Sequence, residues 1–202
     1  LALVSDAGTP LISDPGFKLV EAATRQGIPV FPVPGANAAL AGLVASGLPT
    51  DSFFFAGFLP PKQGARRSRL AELANIPGSL VFYESANRLA ASLDDMHTVL
   101  GDRPASVARE ITKLHEEVIR GSLVYLAENY AQHGAPRGEI VIVVGPPPQR
   151  NASDEDVHTA LLEALETMSV RDAAATVSKD FDRARRDVYA MAIGLSRKDS
   201  SA

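Results

Sequence analysis

The chain has 202 residues, 46% hydrophobic and 22% charged, enough apolar material to close a core without staples. It has no Cys, which excludes disulfides, thiolate nucleophiles, iron–sulfur clusters and Cys-based zinc sites and fits a reducing, cytoplasmic compartment. The net charge of −4 excludes a globally basic nucleic-acid binder but not a local basic patch, and no apolar run reaches bilayer length or resembles a signal peptide.

In chain order, "LALV" (1–4) reads as a buried strand. "PGFKLVEAATRQ" (15–26) reads as a helix opened by Pro15 and closed by Gly27, with Phe17, Val20 and Ala23 on one face. "IPVFPVPG" (28–35) is a second short strand, and "ANAALAGLVASG" (36–47) a small-residue helix capped by Asn37. Strand, helix, strand, helix predicts an α/β domain with a parallel sheet over 1–50. The chain starts with Leu, inside an apolar run, so the fold is expected to lack its first strand.

A second α/β unit is expected over 51–147. "FFFAGFLP" (53–60) is apolar throughout and reads as an interior strand, followed by the basic stretch "PKQGARRSR" and a helix through "RLAELAN". "SLVFYES" (79–85), "ASVARE" (105–110), "EEVIRG" and "GEIVIVVG" (138–145) read as strands. Helices are expected at 86–101 and from Leu123 through Tyr130. The Pro-rich "PPPQRNASDED" (146–156) marks a boundary, with Ser153 resembling a helix cap. A C-terminal module over 153–202 follows, with helices at 154–167, 170–179 and 183–195 in helix–turn–helix rhythm. Its expected core is Ala173, Ala174, Val177, Val188, Tyr189 and Ala192.

The stretch "VSDAGTPLISDPG" (4–16) is a costly turn after a strand. In open α/β sheets, that end of a strand is where ligands bind. Gly8 permits close backbone approach, and Pro10 and Pro15 stiffen the loop. Asp6 offers a carboxylate that can meet a cation or ribose hydroxyls; the plain alternative is a strand–helix connection with Asp14 as its N-cap. On spacing alone, a ligand loop and a plain connection are equally good readings. "PVPGANAA" (32–39) repeats the arrangement one strand later. There is no G-x-G-x-x-G, Walker-type phosphate loop, H-E-x-x-H or G-x-S-x-G motif, and the four His show no metal-ligand spacing.

"VSDAGTPLISDPG", "PVPGANAAL", "FFFAGFLPPK", "FYESANR" and "AREITKLHEE", in this order, resemble the ribosomal RNA small subunit methyltransferase I family of tetrapyrrole-methylase-like enzymes. The resemblance implies two α/β domains with a ligand cleft between them and a further N-terminal strand and helix that this chain lacks. It also implies a homodimer; the scattered His and the lack of a bilayer-length apolar run add the expectation of no metal and no membrane. The implied activity is transfer of a methyl group from S-adenosylmethionine to a cytidine ribose 2′-oxygen in small-subunit (16S) rRNA, free or within the small ribosomal subunit. It carries Asp6, Ala7, Gly8, Thr9, Asn37, Ala38, Tyr83, Ala108 and Ile140 over as donor-binding positions.

A ribose hydroxyl is a weak acid, so a proton acceptor or hydrogen-bond partner should help, and Glu84, Glu110 and Lys113 are candidates. Local ion pairs, Glu84 with Arg88 and Glu110 with Lys113, are the bland alternative. Lys62, Arg66, Arg67 and Arg69 crowd the start of a helix, where cations are disfavoured, so phosphate is an expected partner for them and for Arg88. Arg183, Arg185 and Arg186 open the last helix, diluted by Asp180, Asp182 and Asp187; an RNA-contacting module and a packing module fit equally. Two other readings stay open: a tetrapyrrole or other small-molecule methylase of the same superfamily, and a non-catalytic RNA-binding protein.

Overall fold

The computed structural model describes residues 1–6, 8–148, 154–181 and 183–199. The chain divides into two units, Leu1–Pro148 and Gln149–Ala202. The first is built on a sheet of five strands: β1 (Phe53–Phe58), β2 (Ser79–Ser85), β3 (Pro104–Arg109), β4 (Glu117–Ser122) and β5 (Glu139–Val144). Their spatial order is β1-β2-β5-β3-β4; β1 and β2 run parallel, and every other pair is antiparallel.

Side chains alternate across the pleat, so each strand feeds two layers. Leu80, Phe82, Val107, Ile142 and Val144 point to one side. There they pack against Leu70 and Leu73 of α3 (Gln63–Leu73), Leu89, Leu93 and Met96 of α4 (Leu89–Leu100), and Leu123 and Leu126 of α5 (Leu123–His133). Val81, Ala108, Val141 and Val143 point to the other side and receive Ala39 and Leu43 of α2 (Ala38–Ser46). Close approach sets that contact: a Cβ on Gly42 would lie 2.7 Å from Val141 Cγ1. The carbonyls at the end of α2 accept from the Arg120 guanidinium, a cation at the favourable end of the helix dipole.

Two expectations change. The apolar segments 1–4 and 28–35 form no ladder among the described residues, so there is no sheet over 1–50. A strand is stable only when its backbone groups find a neighbour. Without one, Val4, Phe31 and Val33 are left more than four-fifths exposed. α1 (Phe17–Arg25) forms as expected but buries none of its residues. β1 is an edge strand, not an interior one, and Phe58 is exposed. A bulge at Gly57 (φ 64°) shifts its register. Its apolar content instead builds a wall, with the Phe55 and Phe58 rings 4.9 and 5.6 Å from Tyr83.

The second unit comprises α6 (Asp154–Leu165), α7 (Val170–Asp180) and α8 (Arg185–Asp199). Ala173, Ala174, Val177, Val188 and Ala192 are buried as the spacing predicts, together with Val157 and Leu161. Tyr189 is not core: it is 41% exposed, because the buried stripe of α8 runs through Val188 and Ala192. Ser169 caps α7, its Oγ accepting from Asp172 N at 3.2 Å; the cap expected at Ser153 lies outside the described residues. Among the described residues, no helix is long and apolar enough to cross a membrane and no acidic or His cluster could hold a metal ion.

Candidate active site

All four non-Gly residues with positive φ among the described residues lie in two loops: Leu11 (73°) and Ser13 (62°), and Glu110 (50°) and Thr112 (67°). Such backbone costs on the order of 1 kcal/mol or more per residue and persists where surrounding contacts over-determine it. Ser13 and Thr112 both line one cavity of about 390 Å³.

The cavity wall is tied together from distant segments. Thr9 Oγ1 donates to Ala36 O at 3.1 Å, across 27 residues. A Cβ at Gly8 would meet the same Ala36 oxygen at 3.2 Å, and Gly8 has φ 76°, so the position suits glycine on both counts. Asn37 caps α2 as expected, its Oδ1 accepting from Leu40 N at 3.1 Å. Tyr83 Oη accepts from Ala39 N at 3.2 Å. The phenol's own hydrogen has no acceptor among the described residues. Burial, and the nearby Asp14 and Glu139 carboxylates, push its pKa up against the lowering effect of the Ala39 N–H, so Tyr83 stays a neutral donor.

Of the expected donor-binding positions, Gly8, Thr9, Asn37, Ala38, Tyr83 and Ile140 line this cavity. Asp6 does not, and Ala108 is fully buried under α2. Ala7 lies outside the described residues.

The three expected proton acceptors all have internal partners. Glu84 borders the cavity, but its carboxylate is buried and accepts from Ser92 Oγ (2.6 Å), Ser85 N (2.8 Å) and Arg88 Nη2 (3.1 Å). Glu110 Oε1 accepts from Glu139 N at 3.0 Å and Lys113 Nζ at 2.9 Å; these bonds, the backbone one foremost, hold its carboxyl below the usual range. Lys113 lines the cavity, and its bonds to Glu110 and Glu139 push its pKa up, so it remains an ammonium. A protonated amine is no base.

Sequence reasoning missed Asp14. The plain-connection reading made it the cap of α1, but the cap position is Gly16 and no side chain bonds there. Asp14 instead lines the cavity, half-buried, without an ion pair or hydrogen bond among the described residues. Ser13, Thr112 and Glu139 were also missed; for the first loop the cue was Asp14-Pro15-Gly16, read only as helix punctuation.

The basic stretch is not all free charge. Arg66 is 5% exposed, and its Nε and Nη2 reach Asp95 Oδ2 at 2.6 and 2.5 Å. Arg67 Nε reaches Asp95 Oδ1 at 2.6 Å, and Gln63 joins at 3.2 Å. A buried carboxylate on α4 thus meets the charge expected to need phosphate. Arg69 pairs with Glu72 at 2.6 Å. Arg88 Nη2 donates to Leu59 O at 2.6 Å as well as to Glu84. Lys62 precedes α3 without a partner among the described residues.

The family described as Tetrapyrrole (Corrin/Porphyrin) Methylases matches residues 1–127, which places the chain in that class of proteins. A domain described as RsmI C-terminal HTH domain matches residues 151–196. The chain is 46% identical over 202 residues to the Ribosomal RNA small subunit methyltransferase I of Mesorhizobium japonicum, covering all of this chain and 68% of that protein. It is 52% identical over 168 residues to the one from Erythrobacter litoralis, covering 83% of this chain and 59% of that protein. Against the one from Mycobacterium tuberculosis it is 53% identical over 143 residues, 70% of this chain and 50% of that protein. The chain therefore belongs to the ribosomal RNA small subunit methyltransferase I family, and it spans about half to two thirds of the length of these relatives. Among solved structures, the methyltransferase CobJ shares the fold, with a TM-score of 0.50 at 21% identity over 69% of this chain and 62% of that one.

Proposed function

We propose that this chain carries the methyl-donor site of an rRNA methyltransferase, binding S-adenosylmethionine in the cavity and transferring its methyl group to a cytidine ribose 2′-oxygen of small-subunit rRNA. The curated relatives named above supply the substrate class. The observation that carries the site is the unpaired Asp14 carboxylate in a cavity whose other charged groups are already engaged.

The residues fit such a donor. A volume of about 390 Å³ is in the range of small-molecule sites. Asp14 provides a counter-charge for a cationic ligand, and the free hydrogen of Tyr83 serves an acceptor atom. The backbone around Gly8 and Ala36 leaves room for close approach. When bound, the sulfonium supplies an already activated methyl group. The protein's part is then to orient the two reactants and exclude water, work that rigid, over-determined loops do well. Glu84, Glu110 and Lys113 act as structural partners that hold the loops. Of the expected RNA contacts, Lys62, Arg67 and Arg69 keep exposed charge for phosphate, whereas Arg66 and Arg88 position the segment Leu59–Pro61 through its carbonyls. The relatives above are named for ribosomal RNA rather than for a porphyrin-type acceptor.

Calorimetry with S-adenosylmethionine tests the reading. Asp14→Asn should weaken donor binding at least about tenfold and leave adenosine, which lacks the charges, unaffected. Equal donor affinity in the variant removes Asp14 from the site, and no heat with the unsubstituted chain overturns the donor site itself.

A further inference from the structure

The second unit carries a cluster that the donor site does not use. Arg171 of α7 and Arg185, Arg186 and Tyr189 of α8 line one open cleft of about 360 Å³. Several other arginines are held by carboxylates: Arg66 by Asp95, Arg88 by Glu84, and Arg183 by Asp154 at 3.2 Å. Two of the three cleft arginines are not, and the third is only loosely paired. Arg171 and Arg185 are exposed and make no ion pair or hydrogen bond with a described residue. Arg186 is 96% exposed, with Asp187 Oδ1 at 3.6 Å, too far for a hydrogen bond. Asp172, beside Arg171, is turned to its own helix start, where Oδ2 accepts from Ser169 Oγ at 2.7 Å. Among the described residues, the cleft's three guanidinium groups have one carboxylate in ion-pair range, Asp187 beside Arg186.

Tyr189 follows Arg185 and Arg186 by four and three residues, so its ring shares their side of α8. It is 41% exposed beside the buried Val188 and Ala192. An exposed ring among guanidinium groups that are free or only loosely paired is a recognisable combination. Guanidinium forks match phosphate oxygens, and a free aromatic face takes an unstacked base.

We propose that Arg171, Arg185, Arg186 and Tyr189 form a binding site for a backbone phosphate and an adjacent unstacked base of single-stranded RNA. The choice of RNA over another polyanion rests on the rRNA reading above. The site adds a second hold on the substrate, made by residues remote in sequence from the donor loops.

The test is fluorescence anisotropy of the whole chain with a labelled single-stranded oligoribonucleotide across a salt series. Arg171→Ala with Arg185→Ala should lower the slope of log affinity against log salt by about 0.7 for each phosphate that is no longer neutralised. Tyr189→Leu should weaken binding at least about fivefold at every salt concentration and leave the slope alone. Arg185→Lys, which keeps the charge, should keep the slope. All these side chains are exposed, so unchanged thermal midpoints are expected and exclude misfolding. Wild-type slope and affinity in the double and Tyr189 variants overturn the proposal. So does a lack of binding by the unsubstituted chain, or competition by polyglutamate as effective as by unlabelled RNA. The assay needs no methyl donor, so the two readings fail separately. Loss of RNA binding in these variants alongside failed donor calorimetry leaves this site standing and removes the cavity reading. Donor binding alongside wild-type RNA binding in the variants does the reverse.

Discussion

Residues 1–47 and 51–145 are written in the same alphabet of apolar runs and amphipathic helices, yet they settle differently. In the second stretch, β2, β5 and β3 have neighbours on both sides, and Leu80, Val81, Phe82 and Ile142 are fully buried. In the first, segments 1–4 and 28–35 pair with nothing among the described residues and α1 buries no residue. Its one firm anchor is α2, seated on Val141 through Gly42, held at its end by Arg120 and at its start by Tyr83. An apolar run therefore states a tendency to be buried; a ladder partner decides whether it is. The cavity lies where the two regimes meet: the loop carrying Gly8, Thr9 and Asp14 faces ring, strand and loop residues positioned by the well-packed sheet.

The largest expected break falls in the packed region. Asp95 is fully buried and receives Arg66, Arg67 and Gln63. Asp95→Ala leaves the buried Arg66 guanidinium uncompensated and should cost about 3–5 kcal/mol by chemical denaturation. Burial alone would raise the Asp95 carboxyl, but the hydrogen bonds from Arg67, Arg66 and Gln63 outweigh it and hold it below the ordinary value. Its contribution is therefore complete above the unfolded-state pKa, near 4, and is lost as pH falls from there through the folded-state value. The variant should accordingly lose stability less steeply than the parent over that acid range. An equally steep acid limb would show that the clamp is not what holds α3 to α4.

A smaller effect is expected at the joint between the regions. Gly42→Leu places a Cβ 2.7 Å from Val141 Cγ1 and more atoms beyond it. Lifting α2 from the sheet should cost about 1–3 kcal/mol. It should also weaken methyl-donor binding, since Asn37, Ala38 and the Ala39–Tyr83 bond move with the helix. A stability loss with donor affinity intact would separate α2 from the cavity and break the account of how the first stretch is anchored.

Much of this arrangement was legible in the residues. Short apolar runs marked β2, β3 and β5, Gly and Asn marked the ends of α2, and the linked motifs marked both loops that line the cavity. Tertiary choices were not. "FFFAGF" reads the same at the middle or edge of a sheet, and only the Gly57 bulge and the rings around Tyr83 distinguish them. Arg66 reads as a surface cation until α4 delivers Asp95 from 29 residues away. Glu84 and Glu110 read as acid–base groups because sequence displays the carboxylate and hides Ser92, and hides the backbone N–H of Glu139. Asp14 was passed over for the opposite reason: the only role considered for it was a local one, at the start of α1, which the fold does not provide.

The smallest expected effect is the sharpest test of the contrast. Phe31 and Val33 are each 85% exposed on a segment with no ladder, so removing their apolar groups deletes almost no buried area. Phe31→Ser with Val33→Ser should change stability by no more than about 0.5 kcal/mol, as for ordinary surface positions. It should also reduce the fluorescence of a dye that binds exposed apolar surface, because the patch shrinks while the core stays as it was. Those two readouts move together only if the segment is open. A loss of roughly 1 kcal/mol or more would mean that 28–35 is held by contacts comparable to those in the sheet, and the division between a firmly laddered region and a lightly anchored one would no longer stand.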